Sequence, residues 1–133
     1  MNIMKTAAAC FVIAWIALGT GVAQASLSNS DKEFLTAYEK VRSALAADDL
    51  AGAKAAATEL RDDGIAVAKS SSLKEARLAF EALSDKAKQL AAGQSGYYIV
   101  NCPMLKKDWV QNSEKIGNPY YGKEMGSCGE IKK

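Results

Sequence analysis

The sequence predicts an all-α protein: an antiparallel (up-down) three-helix bundle with an irregular C-terminal Cys/Met motif docked on it. Two observations carry that expectation. From about residue 30 to Gly93 the chain is rich in Ala, and its larger apolar residues recur at steps of three and four, the period of a helix buried on one face. Two breaks of capping composition divide this stretch into three stripes with short connections, which favour antiparallel neighbours.

The first stripe opens at Ser30-Asp31-Lys32-Glu33, with capping-box spacing, and continues through Phe34, Tyr38, Val41 and Leu45. Asp48-Asp49 offers a break and a new N-cap. Leu50, Ala53, Ala57, Leu60, Gly64 and Val67 form the second stripe. Ser70-Ser71-Ser72 interrupts again, and Ser72-Leu73-Lys74-Glu75 is a second capping box. Leu73, Ala76, Phe80, Leu83, Ala87 and Leu90 make the third stripe, which Gly93 should stop. Ala favours helix and lets axes approach closely. The outward positions carry Lys, Arg, Asp and Glu, so the stripes read as core.

The segment before the bundle reads as a secretory signal peptide over 1–25. Lys5 supplies positive charge, Ala7 to Leu18 is apolar, and Ala23-Gln24-Ala25 has small-x-small cleavage form. The apolar run is too short to span a bilayer, which takes roughly 20 residues. Ser26 would then begin the mature chain, Cys10 would leave with the signal, and no stable membrane anchor would remain. Periplasmic or secreted residence follows.

Residues 26–93 then form the bundle, and 94–133 a tail belonging to the same small domain, which by its size leans on a staple. Charge is nearly balanced, with 17 Lys and Arg against 15 Asp and Glu. It is also interspersed, so no basic field for nucleic acid is present.

The tail differs in style. Gln94-Ser95-Gly96 is a hinge, Tyr97-Tyr98-Ile99-Val100 is β-like in propensity, and Asn118-Pro119-Tyr120-Tyr121-Gly122 has turn composition. The tail is too short for a core of its own, so its aromatics must pack on the helices. It also holds every sulfur left after cleavage: Cys102, Met104, Met125 and Cys128.

Two readings of these sulfurs stand side by side. Two cysteines in an exported protein are ordinarily a disulfide, here Cys102 to Cys128. Alternatively, two thiolates and two thioethers are a soft ligand set, suited above all to Cu(I). Pro103 at the first position of a short helix would place Cys102 at a helix N-terminus, where its thiolate is stabilised. Gly126 and Gly129 would let the opposing chain come close, and Trp109 and the tyrosines would shield the ion. Zinc fits poorly, because the chain has no His. Catalysis is poorly supported too. There is no His to act as base for a Cys nucleophile, no C-x-x-C pair, and no phosphate-cradling Gly loop. The protein reads as a non-enzyme.

The tail motifs occur in a specific order: Tyr97 to Met104 with Cys102-Pro103-Met104, then Asp108-Trp109-Val110-Gln111, Asn118-Pro119-Tyr120-Tyr121-Gly122, Met125, and Cys128-Gly129-Glu130. This resembles a family of small exported bacterial domains of unknown function. Its signature runs Cys-Pro-Met, Asp-Trp-Leu-Gln, Asn-Pro-Tyr-Tyr/Phe-Gly, Met and Cys-Gly, and similar domains are appended to periplasmic adaptors of heavy-metal efflux systems. The resemblance covers about the last third of the mature chain.

It implies a metal-handling role, with Cu(I) or Ag(I) held by Cys102, Met104, Met125 and Cys128, and Asn101, Trp109, Tyr120 and Tyr121 around them. An efflux adaptor or pump subunit is the implied partner. The family commonly has His before Cys-Pro-Met, where this chain has Asn101.

The leading expectation is therefore a periplasmic soft-metal binder serving sequestration or delivery. The alternative is a disulfide-stapled structural or protein-interaction module without metal.

Overall fold

The computed structural model describes residues 25–132. The expected signal peptide lies outside the described residues, apart from Ala25. No helix among the described residues is long and apolar enough to cross a membrane.

The first helix, α1, spans Asn29–Ala46. It starts earlier than the Ser30–Glu33 spacing suggests. Ser28 is the N-cap, its Oγ accepting from the Asp31 N–H at 3.1 Å while the Asp31 carboxylate accepts from the Ser28 N–H at 3.2 Å. Both spacings offer a capping box; the earlier one brings Leu27 onto the core. Helix α2, Leu50–Thr58, is capped by Asp49, whose side chain accepts from the Gly52 N–H.

The second stripe is not one continuous helix. After α2 the chain passes through a 3₁₀ turn, Arg61–Gly64, into a short α3, Ile65–Ala68. Arg61 has φ 54°, which the interior of a continuous α-helix does not accommodate, and Gly64 lies so close to the Ala57 carbonyl that a Cβ would stand 1.8 Å from its oxygen. Leu60 and Val67 nonetheless keep their expected places in the core.

Helix α4, Leu73–Ala91, begins at the expected cap, Ser72 accepting from the Glu75 N–H. The Glu75 carboxylate turns instead to the backbone N–H and hydroxyl of Ser71, which hold it below the usual carboxylate range. Gly93, with φ 68°, lies just past the end of α4.

The all-α expectation is wrong for the tail. Strand β1, Tyr98–Cys102, pairs antiparallel with β2, Lys107–Gln111, from Tyr98 opposite Gln111 to Cys102 opposite Lys107. A short β3, Glu130–Ile131, pairs antiparallel with the other side of β1, giving the order β2-β1-β3. Among the described residues the protein is thus a mixed α/β domain of four helices and one three-stranded sheet, not a three-helix bundle. The β-like run at Tyr98–Val100 finds its partners in Trp109, Val110 and Gln111, and β2 packs in turn on α4 and, to a lesser extent, α1.

That cover is specific. α1 packs on α2 and α4, and the sheet meets α4 mainly through β2. An aromatic ladder crosses the seam: Phe34, Tyr38, Phe80, Tyr120 and Trp109, with successive ring centroids 6.3, 5.1, 5.7 and 6.3 Å apart. The outer edge of β2 is satisfied by helix side chains. The Val110 N–H donates to the Tyr38 hydroxyl at 3.0 Å, and the Ser84 hydroxyl donates to the Asp108 carbonyl at 3.0 Å. Capping an edge strand in this way removes a template for aggregation. Burial drives the Tyr38 phenol well above its usual range and pushes that of Tyr120 up to about 12, so both remain neutral hydrogen-bonding groups.

Candidate functional site

The expected sulfur cluster divides into a bonded pair and two methionines. Cys102, the last residue of β1, is fully buried and is disulfide-bonded to Cys128, with Cα atoms 5.5 Å apart. Their separation of 26 residues closes the whole segment from the hairpin tip to β3. Such a loop is worth roughly 3.5 kcal/mol on the chain-entropy estimate. Gly129 makes the close approach possible: a Cβ there would fall 2.7 Å from Val100, and 2.9 Å from each of Ile116 and Trp109. Gly126 is tight but less so, its would-be Cβ 3.3 Å from the Gly122 carbonyl oxygen.

The expected helix at Pro103 does not form. Pro103 opens the turn between β1 and β2, so Cys102 ends a strand and has no helix N-terminus beside it. The fixed φ of proline suits a turn as well as a first helical turn, and the cross-strand pairing decides between them.

Met104 stands at the tip of that turn, 74% exposed. Met125 ends the 3₁₀ turn Gly122–Met125 and is half-buried; its carbonyl accepts the Cys128 N–H at 3.0 Å. Met125 is therefore tied to Cys128 through the backbone, while Met104 faces solvent. Among the described residues no group of three or more His, Cys, Asp or Glu is placed to hold a metal ion.

The residues expected to surround an ion have internal tasks. Asn101 sits opposite Asp108 across the hairpin and donates to its carboxylate at 2.6 Å, while Lys132 binds the other oxygen. Burial alone would raise the Asp108 carboxyl, but these two hydrogen bonds hold it below the usual range. Trp109 is fully buried and donates from its indole to Gln111, itself buried. Tyr120 joins the aromatic ladder, whereas Tyr121 is 38% exposed.

The turn at Asn118-Pro119-Tyr120-Tyr121-Gly122 is a structural hub. The buried Asn118 side chain accepts from the N–H groups of Tyr120 and Tyr121 and donates to the Cys128 carbonyl. Arg42, nearly buried, holds the Gly117 carbonyl at 2.6 Å and forks onto Glu39. Arg77 reaches the carbonyls of Pro119 and Leu45 and the Asp48 carboxylate. Arg77 and the Lys123 N–H together keep Asp48 well ionised, below the usual carboxylate range. Gly122, at φ 64°, is compulsory here, because a Cβ would stand 1.8 Å from the Asp48 carboxylate.

No protein-family model, curated protein or solved structure matches this chain.

Leu105 at the hairpin tip, Leu78 on α4, Tyr120 and Tyr121 line a groove of about 340 Å³, together with Lys74, Arg77, Glu81 and Lys107. A more polar pocket of about 400 Å³ adjoins it and shares Glu81, Lys107 and Tyr120. Three cations of the polar pocket are already matched: Lys88 with Asp85, Lys107 with Glu81, and Lys132 with Asp108.

Leu78 escapes the periodic reading because it lies off the buried stripe Ala76, Phe80, Leu83. The signal was available: a large apolar residue among the charged positions of an otherwise regular amphipathic helix, 61% exposed in the structure.

Proposed function

We propose that the protein is an exported, non-catalytic interaction module in which a disulfide sets the shape of a docking surface. The observation that carries this reading is the disposition of the sulfurs. Cys102 and Cys128 are bonded to each other beneath the tail, and Met104 stands apart from them in solvent. A disulfide offers no thiolate to a soft ion. The motif side chains Trp109, Gln111 and Asn118 are all buried and hydrogen-bonded to one another or to the backbone of the tail. The motif thus reads as a folding device, and the surface beside it is what the staple presents.

A second reading keeps the soft metal, and the bonding of Cys102 to Cys128, which brings both sulfurs to one point, favours it. Reduction would release two thiols, soft ligands with the chemistry of Cu(I) or Ag(I). The motif resemblance supports the same reading, with an efflux adaptor or pump subunit as recipient.

A thiol count and mass on the protein recovered after export, followed by Cu(I) titration against a competing chelator, separates the two. The oxidised mass, no reactive thiol and no Cu(I) uptake are the outcome expected for the interaction module. Two reactive thiols, with stoichiometric Cu(I) uptake abolished by Cys102→Ser and Cys128→Ser, would overturn it in favour of the metal site.

A further inference from the structure

We propose that the groove between α4 and the hairpin tip docks an acidic protein segment that inserts apolar side chains. The proposal rests on the interaction-module reading and adds the chemistry of the partner.

The apolar part comes from Leu78 on α4 and Leu105 at the hairpin tip, with Tyr120 and Tyr121 in the same lining. Leu78 is 61% and the neighbouring tip residue Met104 is 74% exposed. Large apolar side chains gathered beside a polar rim mark docking surfaces more often than they mark defects of packing.

The charge at the rim gives the sign of the occupant. Lys74 lies one helical turn before Leu78, and Lys106 follows Leu105 at the tip. Among the described residues neither makes an ion pair, whereas Arg77 is matched by Asp48 and Lys107 by Glu81. The groove therefore carries one uncompensated positive charge, Lys74, and Lys106 adds a second in the polar pocket that adjoins it. The carboxylate that lines it, Glu81, is already matched. Complementary charge steers encounter and rejects partners of the wrong sign.

The tip is also held in shape before anything binds. Pro103 opens the turn, the Cys102 disulfide anchors one side, and Lys106 takes a left-handed φ of 52° that a non-glycine residue adopts only when its surroundings impose it. A surface fixed in advance loses less on binding. The groove continues into the adjoining polar pocket through Glu81, Lys107 and Tyr120. This continuity suits a length of polypeptide better than a compact small molecule.

The test uses the exported, oxidised protein and three fluorescein-labelled nine-residue peptides: EEDLFDLEE, its charge-reversed form KKKLFKLKK, and its apolar-deleted form EEDSGDSEE. Fluorescence anisotropy at low and physiological salt reads binding. The expected result is saturable binding of the first peptide alone, weakened at least about tenfold by Leu78→Glu and by Lys74→Glu, with melting temperature unchanged. Amide shifts centred on Leu78, Leu105 and Tyr121 should accompany it.

Equal binding of the acidic and basic peptides, binding that ignores both substitutions, or no binding of any peptide overturns the proposal. A dimer in sedimentation that Leu78→Glu dissociates would seat a second copy in the groove and also overturn it. These failures leave the disulfide in place; failure of the underlying reading would show instead as free thiols in the same preparation.

Discussion

The helical region, residues 29–91, and the tail, residues 97–132, are held by different physics. In the helices, stability comes from apolar burial repeated along faces: Val41, Leu45, Ala53, Ala57, Val67, Ala76, Phe80 and Ala87 are all sealed from solvent. Neighbouring residues of this kind substitute for one another with modest losses. The tail has few such residues and uses directed contacts instead. One disulfide, the Asn118 side chain, the guanidinium groups of Arg42 and Arg77, and the close approach at Gly129 each fix one segment to one other. Non-directional burial tolerates variation; directed contacts fail individually. The tail should therefore be the region where single changes act locally and sharply.

The largest break is expected from the cross-link. Replacing Cys102 and Cys128 together by Ala should cost about 3 kcal/mol and lower the melting temperature by roughly 15 °C. Hydrogen exchange followed by mass spectrometry should show residues 112–132 losing protection first while α4 retains it. Uniform loss across α4 would show that the two regions unfold as one unit.

Gly129→Ala comes next. Its Cβ would meet Val100, Ile116 and Trp109 inside the sheet, and overpacking of this kind costs about 1–3 kcal/mol. Gly96→Ala is the control. It has φ 83° but open space around it, so only the smaller conformational cost of about 1 kcal/mol applies. Equal melting temperatures for the two variants would sink the close-packing account of the Cys128-Gly129 approach.

Tyr38→Phe sharpens the boundary between the regions. It keeps the ring in the ladder and removes the acceptor of the Val110 N–H, at a cost of about 1–2 kcal/mol. Denaturant unfolding measures it. Exchange at Val110 should quicken far more than exchange in α1, whose own hydrogen bonds are untouched.

The smallest effect is expected from acid. The Asp48 carboxyl is depressed in the folded protein by Arg77 and the Lys123 N–H, so its contribution is fully present above the unfolded carboxyl pKa and is lost as pH falls through the folded value. Stability should therefore decline a little more steeply with acid in the native protein than in Asp48→Asn, below about pH 4. Parallel pH profiles for the two proteins would remove Asp48 from the account of the hub.

What could be read from the chain differs between the regions for the same reason. The Asp49 and Ser72 caps, the α4 stripe and the stop near Gly93 depend on contacts within a few residues, so they appear directly in the order of amino acids. The Ser28 start and the break at Arg61–Gly64 do not, because one depends on Leu27 reaching the core and the other on the close approach of Gly64 to the Ala57 carbonyl. In the tail, the β-propensity of Tyr98–Val100 and the turn at Asn118–Gly122 were visible. Their partners were not.

The sequence by itself determined the elements whose hydrogen bonds close locally, together with the two tail cysteines available for a cross-link. Tertiary structure alone decided that the tail becomes a sheet, that Cys102 meets Cys128 while Met104 turns to solvent, and that Leu78 and Leu105 come to line one groove. A strand's hydrogen bonds and a groove's walls belong to residues far apart in the chain. Only the packing of α1 and α4 against β2 brings them within reach.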